Sequence, residues 1–288
     1  MNTKRNVGIL VFLGGLLVVM AAHATLSMSD SVIRKGTTIE VLEPGPDLQD
    51  LIDGITDEGP AKPYLIKLGP GVYTITADGT TGFGLVMAPF ISIMGSGQGV
   101  TILTGAISTG LPDSSSAIVT GASNASLTDL SVRNNGASSF SIAILNSNKA
   151  SPRIQNVTAT ASGAAKSNVG VQNLLSSPTM NDVTATASGG TVFNIGVNNL
   201  SSSPTMSNVT ATASGATSGN VGMQQISSAG TQVDSSTLSG IGTGAAGVVG
   251  IFAGDRITNT RIVGGVINDD VATNCRNTYD AALADVKC

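Results

Sequence analysis

The chain is poor in several residue types that active sites commonly use. Its 288 residues include no tryptophan and one histidine, and aromatic residues make up only 3% of it. So few aromatics argue against a strong sugar-stacking platform, although a polar binding surface remains open. Two cysteines without a retained histidine are too few ligands for a zinc site. The sequence therefore predicts no metal or other cofactor.

Charge is also scarce, at 11% of the residues, and the formal net charge is −4. An acidic chain with no basic cluster has no electrostatic attraction for nucleic acid, so we expect no nucleic-acid partner. The chain has 41% hydrophobic residues and 36 glycines. This composition differs from that of a disordered chain and from that of a helix-rich domain.

Residues 1–24 have the pattern of a secretory signal peptide. Lys4 and Arg5 precede an apolar run, and the small residues Ala22 and Ala24 suit cleavage after Ala24. Cleavage would remove two basic residues and His23, leaving a net charge of 12 − 18 = −6. We predict a secreted or periplasmic protein without a membrane span in its mature form; the alternative is an uncleaved anchor.

An eight-residue phrase occurs three times at a spacing of 26 residues. Asn156–Gly163 reads NVTATASG, and it returns as Asp182–Gly189 and Asn208–Gly215. Apolar and hydroxylated residues alternate in it, which is the period of a half-buried strand. A second short strand follows in each copy, as in Asn168–Val171. Repeats of strands at this period predict one turn each of a parallel β-solenoid.

A polar residue precedes the strand in every copy and in more distant versions of the phrase. Two apolar residues three apart cannot both face inward on a straight strand, so the chain must bend between them. Asn, Asp and Ser suit such a bend because they tolerate left-handed backbone. We expect these residues to stack as an internal polar ladder, with a structural role: Asp129, Asn156, Asp182, Asn208, Ser235 and Asn259.

Both ends of the solenoid need covers because open strand edges promote aggregation. The helical pattern from Asp47 to Ile55, which follows a short strand near Thr38, predicts an N-terminal capping helix with Asp47 as its N-cap. In an exported chain, Cys275 and Cys288 most simply form one disulfide that closes the C-terminal tail. The expected organisation is signal peptide 1–24, N-terminal strand and capping helix 25–60, about eight coils over 61–268, and C-terminal tail 269–288.

The capping helix followed by IKLGPGVYTI (Ile66–Ile75) and ISIMGSGQGVTILTG (Ile91–Gly105) resembles the opening coils of a known superfamily. This is the right-handed parallel β-helix, or pectin-lyase-like, superfamily, and its pectinesterase branch is the nearest. The resemblance covers roughly Thr37 to Ile267. It implies an all-β, single-stranded right-handed parallel β-helix and suggests a polysaccharide or cell-surface glycan as partner.

The resemblance does not extend to catalytic motifs. Pectinesterases of this fold carry a Gln-Asp pair, an Asp-Phe-Ile/Val-Phe-Gly strand and a Leu-Gly-Arg-Pro-Trp segment, and this chain contains none of them. Between Ser167 and Gln232 the only charged residue is Asp182, whereas acid–base catalysis needs a positioned titratable pair. Asp234, Asp255 and Arg256 remain the candidates for a catalytic group, although solvated surface charges explain them as well.

The repeated strand also predicts a binding surface. With Val157 and Ala159 inward, the alternating threonines point to solvent and align from coil to coil: Thr158, Thr160, Thr184, Thr186, Thr210, Thr212 and Thr237. Three hypotheses follow. An exported, non-catalytic binding or structural module is favoured; a pectinesterase-like or pectate-lyase-like enzyme is the alternative; and an ice-binding protein with a Thr-x-Thr ladder is the third. The sequence does not indicate the oligomeric state.

Overall fold

The computed structural model of the protein describes residues 31–267, 274–280 and 282, so the predicted signal peptide and Cys288 lie outside it. Apart from helix α1 (Leu48–Asp53) and a 3₁₀ turn (Ser114–Ser116), the regular structure is β-strand. The strands are β1 (Val32–Lys35), β2 (Thr38–Val41), β3 (Tyr64–Leu68), β4 (Gly71–Thr74), β5 (Leu85–Val86), β6 (Ile91–Met94), β7 (Thr101–Gly105), β8 (Ala117–Thr120), β9 (Ser126–Asn134), β10 (Phe140–Asn146), β11 (Arg153–Ser162), β12 (Ser167–Leu174), β13 (Thr179–Ser188), β14 (Phe193–Leu200), β15 (Thr205–Ser207), β16 (Thr210–Ser214), β17 (Gly219–Ile226), β18 (Gln232–Asp234), β19 (Thr237–Ile241), β20 (Ala245–Val249), β21 (Arg256–Thr258), β22 (Arg261–Val263), β23 (Val266–Ile267) and β24 (Asn274–Arg276).

The strands wind into a parallel β-solenoid of about nine turns with three faces. Face A contains β2, β3, β6, the first parts of β9, β11 and β13, then β15, β18, β21 and β24. Face B contains β4, β7, the last parts of β9, β11 and β13, then β16, β19 and β22. Face C is formed by β5, β8, β10, β12, β14, β17, β20 and β23. The predicted all-β parallel β-solenoid of about 26 residues per coil is thus confirmed.

A single left-handed residue separates face A from face B in each central coil. The six predicted bend residues all have φ between 51° and 56°, which confirms the bend and its physical reason. The predicted position of the ladder was wrong in one respect, because these side chains lie at the surface and four of the six are exposed. They bond between coils there: Asn156 Nδ2 donates to Asp129 Oδ1 at 2.6 Å, and Asn208 Nδ2 donates to Asp182 Oδ1 at 3.2 Å.

The internal polar ladders are formed by other asparagines, on face C. Asn146 donates to Asn173 Oδ1 and Asn173 donates to Asn199 Oδ1, both at 2.8 Å. In a second ladder Asn168 Nδ2 donates to Asn194 Oδ1 at 3.2 Å. All five side chains are fully buried, so the hydrogen bonds between coils offset part of the cost of removing the amides from water. At the two ends of the first ladder, Asn146 Oδ1 and Asn199 Nδ2 are buried without a partner. The recurrence of these asparagines every 26 or 27 residues was the signal that could have identified them.

Glycines let face C approach face B closely in the central coils. A Cβ at Gly196 would lie 2.7 Å from the carbonyl oxygen of Gly222 and 2.8 Å from the backbone nitrogen of Thr212. Gly170 and Gly222 meet the same obstacle, with backbone atoms within 3.0 Å. The central coils are therefore thin, and only glycine fits this position.

The N-terminal helix forms as predicted. Asp47 caps it by accepting a hydrogen bond from Gln49 N at 2.8 Å, and Leu48, Ile52 and Ile55 are buried. The Gln49 side chain accepts from Val86 N at 2.8 Å, so it also satisfies an edge of face C. Strand β1 covers the first edge of face A by pairing antiparallel with β2.

The parallel ladder extends beyond the expected coil region at both ends. Strand β2 already pairs with β3, and β24 pairs with β21. Of the described helices, none is long and apolar enough to cross a membrane. The domain boundaries themselves stay a prediction, as does the disulfide, because Cys288 lies outside the described residues.

Candidate functional site

The aligned threonines lie on the outer side of face B, and we call the seven predicted residues the threonine array. Val157, Ala159 and Ala161 are fully buried, so the side chains between them point outward. Strand pairing puts the array into two columns across four coils: Thr158, Thr184, Thr210 and Thr237 in one, and Thr160, Thr186 and Thr212 in the other, followed by Ser239. Their alignment is as predicted; their binding role stays a prediction.

A third column continues the array along the strands. Ser162, Ser188 and Ser214 pair with one another and are half-buried, and Ile241 ends their column. These serines follow the same alternation as the threonines, so the sequence pattern could have included them. The result is a patch of short hydroxylated side chains, without a charged group, on the outer side of β11, β13 and β16.

The borders of the array differ from its middle. In the coil before it, Ser131 is 1% exposed and accepts a hydrogen bond from Gly99 N at 3.0 Å. In the last rung Ser239 is 7% exposed. Arg133 precedes the second column and Arg261 follows the first. The open, uncharged part is therefore confined to the central rungs.

One residue from a distant coil contacts the array. The loop between β6 and β7 places Gln98 over the bend between faces A and B, two coils further along. Its Nε2 donates to Asn156 Oδ1 at 2.8 Å, and its Oε1 accepts from Thr158 Oγ1 at 3.0 Å. Nε2 also lies 3.4 Å from the Asp182 carbonyl oxygen. Nothing in the local sequence around Gln98 indicated this contact across 58 to 60 residues.

The three charged candidates do not form one cluster. Asp234 lies on face A and accepts hydrogen bonds from Thr258 Oγ1 at 2.6 Å and Asn259 Nδ2 at 2.9 Å. These bonds lower the pKa of the Asp234 carboxyl below its ordinary value, and the bond from Thr258 has the largest effect. The charge of Arg256 also lowers this pKa, by a smaller amount. Among the described residues, Asp234 and Arg256 form no ion pair.

Asp255 points inward, away from the surface of Asp234 and Arg256. It is 1% exposed and accepts hydrogen bonds from the backbone nitrogens of Thr231 at 2.9 Å and Phe252 at 2.8 Å. Gln225 Nε2 donates a third, at 2.8 Å. These contacts make Asp255 a structural anchor of the last coils.

A shallow groove of about 410 Å³ lies on face A near the C-terminal end. Asp234, Arg256 and Arg276 line it together with uncharged polar side chains and two apolar residues, Met206 and Val233. Arg276 was not among the residues predicted from the sequence, because the predicted coils ended at residue 268, before β24. In the part of the chain that the structure describes, no group of three His, Cys, Asp or Glu side chains is placed to hold a metal ion.

Comparisons with known proteins find similarity to solved structures at low sequence identity. No protein-family model and no curated protein matches the chain. Among solved structures, it is similar to a pectin methylesterase from Aspergillus niger, with 13% identity, 83% of this chain and 85% of that chain covered, and a TM-score of 0.49. A pectin methylesterase from Erwinia chrysanthemi matches at 13% identity, 83% and 86% coverage, and a TM-score of 0.44.

The A-module of a mannuronan C-5 epimerase from Azotobacter vinelandii matches at 16% identity, with 82% of this chain and 74% of that chain covered and a TM-score of 0.45. These structures have the right-handed β-helix fold of the superfamily that the opening coils resemble. Identities and TM-scores this low carry no argument about a shared activity.

Proposed function

We propose that the protein is an exported, non-catalytic β-helix module that binds polysaccharide or a glycan-bearing cell surface. The observation that supports this best is the in-register, uncharged hydroxyl surface of the threonine array. Each hydroxyl can both donate and accept a hydrogen bond, as sugar hydroxyls do. A rigid sheet holds these groups at fixed spacing, so little side-chain entropy is lost when a ligand binds.

The charged candidates are poorly suited to acid–base chemistry. A general acid works best when its pKa lies near the working pH. The pKa of Asp234 is instead held below its ordinary value by three donors, so the group is ionised at neutral pH. Asp255 is buried and its oxygens are already bonded. These two environments support the proposed non-catalytic role.

A glycan array combined with a pectin degradation assay tests the proposal. The mature chain should bind at least one glycan, and Thr184→Val with Thr210→Val should weaken that binding about tenfold, since each removes about one hydrogen bond. Thr179→Val, on face A, is the matched control and should bind normally. Pectin and polygalacturonate should stay intact with or without calcium. Turnover that Asp234→Ala or Arg256→Ala abolishes would overturn the non-catalytic assignment.

Ice binding is a second candidate because the threonines form two columns in register. Threonine is also a common outward residue of strands, and Gln98 already contacts one end of the array, which shortens the free surface. Thermal hysteresis decides between the two. Normal ice growth at high protein concentration eliminates ice binding, whereas ice shaping that Thr184→Tyr abolishes would establish it.

A further inference from the structure

The contact of Gln98 shows how the bend beside the threonine array holds a carboxamide. The acceptor is the side-chain oxygen of the bend residue Asn156, and the donor is the hydroxyl of Thr158, the first outward residue of face B. The Asn156 amide is itself oriented, because its Nδ2 donates to Asp129 at 2.6 Å. An amide nitrogen and an amide oxygen are thus recognised together.

The same constellation recurs two coils further along and has no such occupant. Asn208 has φ of 55°, close to the 52° of Asn156, and its Nδ2 donates to Asp182 Oδ1 at 3.2 Å. Thr210 follows it as Thr158 follows Asn156, and the strand register connects the two threonines through Thr184. Both Asn208 and Thr210 are exposed. No residue of the described chain reaches them as Gln98 reaches the first pair.

We propose that Asn208 and Thr210 form an acetamido-binding subsite, and that Gln98 occupies the equivalent first subsite. This deepens the proposed function, on which it rests, by assigning the glycan as a neutral, N-acetylated polysaccharide. An acetamido group carries one N–H and one C=O, which match the Asn208 oxygen and the Thr210 hydroxyl. The neighbouring Asp182 carboxylate, which accepts a hydrogen bond from Asn208 Nδ2, disfavours an anionic ligand, and the threonine columns carry no charge.

The spacing of the two subsites favours a glycan over a protein side chain. Coils repeat at about 4.8 Å, so the equivalent pairs are about 10 Å apart along the solenoid. In β-1,4-linked N-acetylhexosamine chains alternate rings are flipped, and acetamido groups on one side recur at every second sugar, a repeat close to two coils. A glutamine or asparagine side chain of a protein offers the same amide but no matching repeat.

Calorimetry with two oligosaccharides of equal length tests the assignment. Chitohexaose carries acetamido groups, and cellohexaose has hydroxyls in their place on the same β-1,4-linked backbone. The mature chain should bind chitohexaose at least about fivefold more tightly, the value of one net hydrogen bond. Asn208→Ala and Thr210→Val should each remove this preference. Thr179→Val should keep it, and thermal melts should show that all variants are folded.

Gln98→Ala tests the shared subsite separately. It frees the Asn156–Thr158 pair without removing a buried group, so affinity for chitohexaose should rise about fivefold. Unchanged or weaker binding in this variant would overturn the equivalence of the subsites. Equal binding of both hexaoses would overturn the acetamido assignment and leave the proposed function standing. Binding of a glutamine-rich peptide without binding of chitohexaose overturns the assignment, and the absence of any glycan binding overturns both.

Discussion

The two halves of the solenoid are stabilised in different ways. The N-terminal coils are filled with large aliphatic side chains, among them Ile66, Ile93 and Leu103. The coils from β11 to β17 have mostly alanine, valine and methionine inside, with glycines at the closest approach of two faces and asparagine ladders beside them. The same fold is thus supported by apolar volume in one half and by backbone proximity and amide hydrogen bonds in the other.

This difference predicts which kind of mutation each half tolerates. Truncating the large side chains of the first half leaves cavities. The thin central coils contain small side chains, so truncation removes little buried volume there, but an added side-chain atom has no space. The mutations below compare the two halves, with the free energy of unfolding measured by urea denaturation.

Leu103→Ala should have the largest effect. Leu103 is fully buried in the N-terminal core, and truncating such a residue removes its burial and leaves a cavity, at a cost of about 2–5 kcal/mol. Val72→Ala, on the neighbouring strand β4, is the control, because Val72 is 53% exposed and its truncation should cost less than about 0.5 kcal/mol. Similar losses in both variants would show that apolar packing does not support this half.

Asn173→Leu should destabilise the central half by about 2–4 kcal/mol. Its neighbours Asn146 and Asn199 lose their hydrogen bonds to it, and each orphaned buried group costs roughly 1–3 kcal/mol. Gln232→Leu replaces an exposed amide on face A and should change stability by less than about 0.5 kcal/mol. An Asn173→Leu variant as stable as the wild type would show that the asparagine ladders do not stabilise the central coils.

Gly196→Ala should cost about 1–3 kcal/mol, because the added methyl meets backbone atoms of the next coil. Gly110→Ala is its control: a Cβ there has nothing within 4 Å, and the stiffer unfolded chain should leave stability unchanged or raised by up to about 1 kcal/mol. If both variants behave alike, the faces of the central coils are not in close contact.

Asp234→Asn should have the smallest effect, and one that depends on pH. The pKa of Asp234 is lowered from 3.8 in the folded chain, by the Thr258 bond first. Its contribution is therefore complete above about pH 4 and is lost as the pH falls through the lower folded value. Because the group is near the surface, we expect less than about 1 kcal/mol. The difference between wild type and variant should shrink as the pH falls below about 4; a difference that does not change with pH contradicts the assignment.

Much of the fold could be predicted because the copies of the repeat that are neighbours in the sequence are also the coils that pack against each other. When a 26-residue unit recurs, the coil above and the coil below have the same pattern, so the register of Thr158, Thr184 and Thr210 follows from the spacing alone. The left-handed bend at Asn156 and its equivalents also has a local cause, the tolerance of Asn and Asp for this backbone. The outward direction of the threonines then follows from alternation.

The sequence by itself thus determined the strand period, the bends, the capping helix and the alignment of the threonine array. Only the tertiary structure decided that the bend ladder lies at the surface and that other asparagines form the buried ladders. It also decided that Asp255 is buried away from Arg256 and that Gln98 reaches Asn156 and Thr158. These features depend on how the coils bend in three dimensions and on a loop that crosses several coils. Such contacts join residues far apart in the chain, and no local period encodes them.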